Sequence, residues 1–402
     1  MRLHRNLVFT VIDSIHAIFN EDEHAPKVVE KALKRDKRWG VRDRKFVAET
    51  IYDIVRWKRL YNEIAGTKDH YSRENIWKLF AVWAVLRGIQ LPDWKQLEGT
   101  PVRRIKGKFD EAQKNRAIRE SIPDWMDAVA SEELGEDIWT SELKKLNEQA
   151  EVVLRVNTLK TNVVGLQKAL DKEGIETVTI KNYPFAVKLV ERKNVFVTDA
   201  FKRGLFEVQD ASSQLVAPFL EVKPGMRVVD TCAGAGGKTL HLASLMENKG
   251  QIIAMDIYAG KLAQLKKRAK RAGVHNVDMR VIENSKVIKK LHDKADAVLI
   301  DAPCSGIGVL RRNPDSKWKL QPEFLDNIRA TQQDILQRYS KMVKNGGQLV
   351  YATCSVLPSE NQEQVKKFLN NNTNFTFVKD AKILASKSGY DGFYLALLKR
   401  TD

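Results

Sequence analysis

Five short apolar runs in the second half of the chain set the fold. They are Arg227-Val228-Val229-Asp230, Ile252-Ile253-Ala254-Met255, Met279-Arg280-Val281-Ile282, Ala297-Val298-Leu299-Ile300 and Gln348-Leu349-Val350-Tyr351. Runs of this length, bounded by turn residues and separated by stretches of helical periodicity, are buried strands of a doubly wound parallel sheet. In such α/β sheets ligands bind beyond the carboxyl ends of the strands. The chain has three cysteines, Cys232, Cys304 and Cys354, and each falls just past one of these runs.

The region before the sheet is different. Up to about residue 145 the apolar residues recur at helical spacing, as in Val8, Val11, Ile12, Ile15 and Ile18, or Phe46, Ile51, Ile54, Val55 and Leu60. Arg103 to Lys108 reads as a short basic loop, and the acidic stretch Glu132 to Asp137 as a seam between domains. Strand patterns at 152–156, 177–180, 187–190 and 205–208, with a helix between the first two, make a small α/β module. The expected organisation is a helical domain over 1–145, the module over 146–211 and a Rossmann-like domain over 212–402. A chain of 402 residues has room for these cores.

Charge suggests the partner. The net +17 divides into +9 for residues 1–120, −4 for 121–260 and +12 for 261–402. A basic excess at both ends suits a polyanion gripped from two sides, most simply nucleic acid. The early arginines and lysines carry Trp39 and Trp57 among them, a composition that suits nucleic-acid contact, although charge runs also serve as solvated faces. No apolar run reaches the ~20 residues of a membrane span. The cysteines form no Cys-x-x-Cys pair, which argues against a disulfide framework or a structural zinc. The expectation is a cytoplasmic monomer with free thiols, no metal and no membrane.

After the first of the five strands comes Thr231-Cys232-Ala233-Gly234-Ala235-Gly236-Gly237-Lys238 and then a helix. Its glycines let a ligand approach the backbone and aim the helix N-terminus at it. A Walker A loop is excluded, because Cys232 stands where its first glycine belongs, and the third glycine of a dinucleotide fingerprint is missing. Asp256 ends the next strand, where an acid accepts hydrogen bonds from a ribose diol; the alternative is an N-cap for the helix that follows. A ribose without a demand for pyrophosphate fits S-adenosyl-L-methionine better than a dinucleotide. Glu283 or Asn284, after the third strand, is placed to bond an adenine amino group. Lys261, Lys266, Lys267, Arg268, Lys270 and Arg271 read as an exposed outer helix face.

A strand-end cysteine can be inert filling. Here Asp301 stands three residues before Cys304, and Thr353 and Ser355 flank Cys354. Thiols beside a carboxylate at a cofactor mouth suit covalent catalysis with a thiolate nucleophile. Cytosine C5 is unreactive until a thiolate adds at C6, which makes C5 able to take a sulfonium methyl group; C5 then loses a proton and the thiolate leaves.

Asp301-Ala302-Pro303-Cys304-Ser305-Gly306, Thr353-Cys354-Ser355 and the segment Cys232 to Lys238 resemble the motifs of the RsmB/NOP-type RNA cytosine-C5 methyltransferases. The likeness extends to Asn157-Thr158-Leu159-Lys160 and Gln209-Asp210-Ala211-Ser212-Ser213. Residues 42–57 resemble the NusB-like helical RNA-binding domain of the branch acting on bacterial small-subunit (16S) rRNA. The resemblance implies Cys354 as nucleophile, Cys304 as the residue releasing product, and Asp301 as the acid contacting cofactor and base. It implies S-adenosyl-L-methionine on Cys232, Ala233, Gly234, Ala235, Gly236, Gly237, Lys238, Asp256, Glu283 and Asp301. Gly234 and Ala235 replace the Ala-Pro of the family's usual Cys-Ala-Ala-Pro-Gly-Gly-Lys loop. Arg311 and Arg312 would line the same mouth and position phosphates. The same chemistry on tRNA, or an RNA-binding assembly factor without catalysis, are the alternatives.

Overall fold

A computed structural model of the chain describes residues 3–67 and 69–401. It forms two compact units, one of residues 1–148 with 310–322, the other of 149–309 with 323–402.

The first unit is helical. Helices Arg5–Asn20, Ala25–Leu33, Val41–Arg56, Lys58–Ala65 and Arg73–Leu86 pack around one core, because each carries apolar residues at three- and four-residue spacing. In the first helix Val8, Val11, Ile12 and Ile15 are fully buried. Ser72 caps the helix Arg73–Leu86 by accepting from the Asn75 N–H (3.2 Å), and Gly66 ends Lys58–Ala65 in the left-handed conformation. Residues 103–108, expected as a loop, lie in the helix Val102–Ala112, which buries Ile105 and Ala112 and leaves its basic side chains outside. The acidic stretch 132–137 lies inside this unit, across the end of one helix and the start of the next.

The segment Leu310–Pro322 is part of this helical unit although it follows the Asp301–Gly306 turn in sequence. Asp315 accepts the Ala25 N–H at the start of a helix (3.0 Å). Trp318 donates its indole N–H to the Val55 carbonyl (2.7 Å), and Lys319 bonds Asp22. Lys317 is 1% exposed and donates to Asn147 Oδ1 (2.6 Å) and to the carbonyls of Ser121 (3.1 Å) and Arg56 (3.4 Å). Burial, with Arg56 nearby, pushes its ammonium well below the ordinary lysine range. Truncation would strand those acceptors and empty the space of a four-carbon stem. Lys317→Ala should therefore destabilise the helical unit by about 3 kcal/mol. All eight tryptophans lie in this unit, so the midpoint of a fluorescence-monitored urea transition reads its stability directly.

The second unit holds two sheets. The small one has strands β1 (Val153–Val156), β2 (Thr177–Ile180), β3 (Tyr183–Leu189) and β4 (Phe206–Val208) in the order β2-β3-β1-β4, all pairs antiparallel. The large one has β5 (Arg227–Asp230), β6 (Gln251–Asp256), β7 (Val277–Val281), β8 (Ala295–Asp301), β9 (Val343–Thr353), β10 (Phe375–Ile383) and β11 (Phe393–Arg400), in the order β10-β11-β9-β8-β5-β6-β7. β5 to β9 are the five expected strands and pair in parallel; β10 and β11 extend the sheet antiparallel at one edge. Apolar clusters cover both faces, as a parallel sheet requires. No helix among the described residues is long and apolar enough to cross a membrane.

Candidate active site

Parallel register brings the functional residues to one edge. Asp230 pairs with Leu299 and with Ala254, and Asp301 pairs with Ala352, so the carboxyl ends of β6, β5, β8 and β9 are level. The residues just past those ends are Asp256, Cys232, Asp301 with Cys304, and Cys354.

Cys304 and Cys354, fifty residues apart in sequence, meet with their sulfurs 3.3 Å apart, a thiol hydrogen-bond distance. Cys304 is pushed well above the usual thiol range by its bond to Cys354, by burial, and by the charges of Cys354 and Glu360. It is held as a neutral thiol. The turn carrying Cys304 is pinned by backbone contact: Gly308 donates to the Cys354 carbonyl (3.0 Å), and Gly392 to the Gly308 carbonyl (2.8 Å). A Cβ on Gly308 would come within 2.4 Å of the Gly392 oxygen, so only glycine fits.

Lys238 reaches Asp301 Oδ2 at 2.6 Å. Burial works against its charge, but Asp301, Cys354 and Asp230 outweigh it and raise the ammonium above its ordinary value. The Lys238 ammonium thus joins Asp301 at the end of β8 and interacts electrostatically with Cys354. Sequence reasoning placed Lys238 with the cofactor and missed this second office.

The glycine turn has the expected form. Gly234 and Gly236 have φ of +55° and +87°. A Cβ on Gly236 would strike Leu265, whereas over Gly234 and Gly237 nothing lies within 4 Å, leaving open room above the backbone. Asp256 is not the N-cap of the helix Ala259–Ala272, which begins after Tyr258; its Oδ1 accepts the Tyr258 N–H and its Oδ2 the Gly234 N–H, each at 2.8 Å. The acid thus fastens the glycine turn to β6, and each oxygen keeps a second acceptor direction. Asn284 caps the short helix Ser285–Lys289, which leaves Glu283 exposed and free of that duty. Cys232 takes a weak bond from Thr231 (3.9 Å) and is pushed up to about 12 by burial, so it stays neutral. Beneath the turn, burial pushes Asp230 up to about 7, and Thr239 donates to it (2.7 Å).

The small module supports the same turn. Arg155 of β1 donates to the Gly237 carbonyl (2.6 Å) and Arg268 to the Ala235 carbonyl (2.7 Å). Glu207 of β4, itself buried, holds Arg268 (2.9 Å) and Arg271. Two of the six basic residues expected on an outer face are therefore committed inward. Of the two arginines expected at the mouth, Arg311 is 3% exposed within the helical unit, its carbonyl accepting from Arg56 (3.1 Å), and Arg312 is partly exposed.

The fold and this edge define a methyltransferase of the Rossmann-like class. A family model described as 16S rRNA methyltransferase RsmB/F matches residues 217–399, and one described as the ferredoxin-like domain of RsmF/B-like methyltransferases matches 122–196. The chain is 31% identical to the probable ribosomal RNA small subunit methyltransferase B of Bacillus subtilis, over 79% of this chain and 72% of that protein. It is 28% identical to the protein of the same description from a Synechocystis species, over 98% and 99%. The crystal structure of PH0851 superposes with a TM-score of 0.84 at 26% identity, covering 100% of both chains. The chain belongs to the RsmB/F family of 16S rRNA methyltransferases.

Proposed function

We propose that this protein methylates C5 of a cytosine in small-subunit rRNA through a covalent bond between Cys354 and C6 of the base. The observation that carries the reading is the thiol pair: two sulfurs at 3.3 Å just past the ends of β8 and β9, with Cys304 raised by its bond to Cys354 and by burial, and with the Lys238–Asp301 pair at the same edge. Two thiols in contact with different electrostatic settings match a reaction that needs a nucleophile and a separate partner for elimination.

S-adenosyl-L-methionine supplies the electrophilic methyl group. The open room over Gly234 and Gly237, with Asp256 at the end of β6, supports binding of its adenosyl part there, and Glu283, exposed just after β7, is the proposed contact for the adenine edge. Cys232, Ala233, Ala235 and Gly236 shape the turn, and Lys238 orients Asp301 towards cofactor and base. The sulfur of Cys354 adds to C6, C5 gains nucleophilic character, and after methylation the C5 proton leaves with rupture of the C6–S bond. Asp301 is placed to hold the base edge. The base must be unstacked to reach the thiol. Arg312, partly exposed, is the arginine proposed to contact phosphate.

Incubation with methyl-labelled cofactor and 16S rRNA should yield 5-methylcytosine at one position, detected by nuclease digestion and mass spectrometry. Label in another base, or transfer to tRNA alone, would overturn the assignment.

A further inference from the structure

Glu360 has no part in the sequence motifs, yet it is completely buried between them. Its Oε1 accepts from the hydroxyls of Ser305 (2.5 Å) and Ser355 (2.6 Å), the residues directly after Cys304 and Cys354. Its Oε2 accepts from the Ser305 N–H (2.8 Å) and from Gln332 (3.1 Å). Gln332 also donates to the Pro303 carbonyl (3.0 Å), and the Tyr351 hydroxyl donates to the Glu360 carbonyl (2.7 Å). Every donor to this carboxylate is neutral, and no Lys or Arg among the described residues forms an ion pair with it. A buried carboxylate without a counter-ion is costly, and three or four neutral donors only partly offset that cost. A serine or glutamine network alone would tie the turns together without a charge.

We propose that Glu360 is the positioning residue that sets the spacing of the two thiols, fastening the turn after Cys304 to the turn after Cys354 and placing a buried negative charge beside the pair. The charged and titratable groups around the pair are few. Cys304 faces Cys354, Glu360 and the Tyr351 hydroxyl, whose own proton is held firmly by burial and by the charges of Cys304 and Glu360. Cys354 faces Cys304 and Lys238. The Lys238 ammonium that interacts with Cys354 is itself paired with Asp301 (2.6 Å), and the Glu360 charge adds to the Cys354 bond and the burial that raise Cys304. The inference rests on Cys354 being the attacking sulfur.

The test is the pH dependence of alkylation by iodoacetamide, resolved for each cysteine by mass spectrometry on the full chain without RNA. In the wild type Cys354 should react across pH 7–9 while Cys304 stays unmodified; Cys232, with its thiol pushed up to about 12, stays silent. Glu360→Gln keeps size and shape and removes the charge. Its Cys304 should begin to react about one pH unit or more lower, and the selectivity between the two cysteines should fall about tenfold or more. Glu360→Asp keeps the charge and should preserve the selectivity while slowing methyl transfer. An unchanged Cys304 profile in Glu360→Gln would overturn the proposal, even if transfer to RNA fell, because a purely structural tie moves rates and not the profile. Reversed reactivity in the wild type, with Cys304 modified first, would instead sink the assignment of the nucleophile.

Discussion

Cys354→Ala should abolish methyl transfer to RNA, by about 10⁴-fold or more, as removal of a nucleophile does when the remaining site still binds its substrates. Without a thiolate to add at C6, C5 has no nucleophilic character at neutral pH, and no neighbour supplies it: Cys304 is held protonated and Cys232 is neutral. Affinity for S-adenosyl-L-methionine should stay within about twofold, because the glycine turn and Asp256 are held by β5, β6 and the small module, and not by Cys354. Titration calorimetry with the cofactor, beside single-turnover transfer of labelled methyl groups, separates the two effects. Loss of cofactor binding in this variant would mean that Cys354 belongs to the cofactor site and is not the nucleophile.

Cys304→Ala should fail differently, with a protein–RNA adduct accumulating that survives denaturing electrophoresis. The electrostatics give a reason for the order of events. The first cause of the high Cys304 proton affinity is its bond to Cys354, and the Cys354 charge adds to it. Once the Cys354 sulfur is bonded to carbon, both influences end and the proton affinity of Cys304 falls, so Cys304 releases its own proton to solvent and, as the thiolate, takes the proton that leaves C5 as the C6–S bond breaks. Without it, addition and methylation proceed while elimination stalls. The adduct should appear within the time of one wild-type turnover and carry one methyl group per protein, as intact mass after nuclease digestion will show. Free methylated RNA at wild-type rate would remove Cys304 from the reaction.

Much of the fold was legible because its signals are local. The five runs from Arg227 to Tyr351 are strands since each is apolar and bounded by turns, and the glycine turn has the positive φ its residues permit. The antiparallel strands β10 and β11 were not anticipated. β10 reads Phe-Thr-Phe-Val-Lys-Asp-Ala-Lys-Ile with an exposed middle, so burial does not stamp a strand pattern on it. Arg103 to Lys108 looked like a loop because its charges mask the buried positions Ile105 and Ala112.

The site divides in the same way. That Cys232, Cys304, Cys354, Asp301 and Asp256 share one edge was legible from the sequence alone, because strand ends are local features and the topology of a parallel sheet brings them level. What the sequence could not contain is which neighbour each side chain keeps. Glu360, six residues beyond Cys354, carries no motif signal; only the folded chain brings Ser305 and Ser355 to its two oxygens. Arg311 looked like a surface phosphate contact until the segment 310–322 proved to be part of the helical unit. The residue types that stand at the strand ends were therefore determined by the sequence. The different settings of its two thiols were decided by tertiary structure, because proton affinity depends on charges a few ångströms away that lie tens of residues apart along the chain.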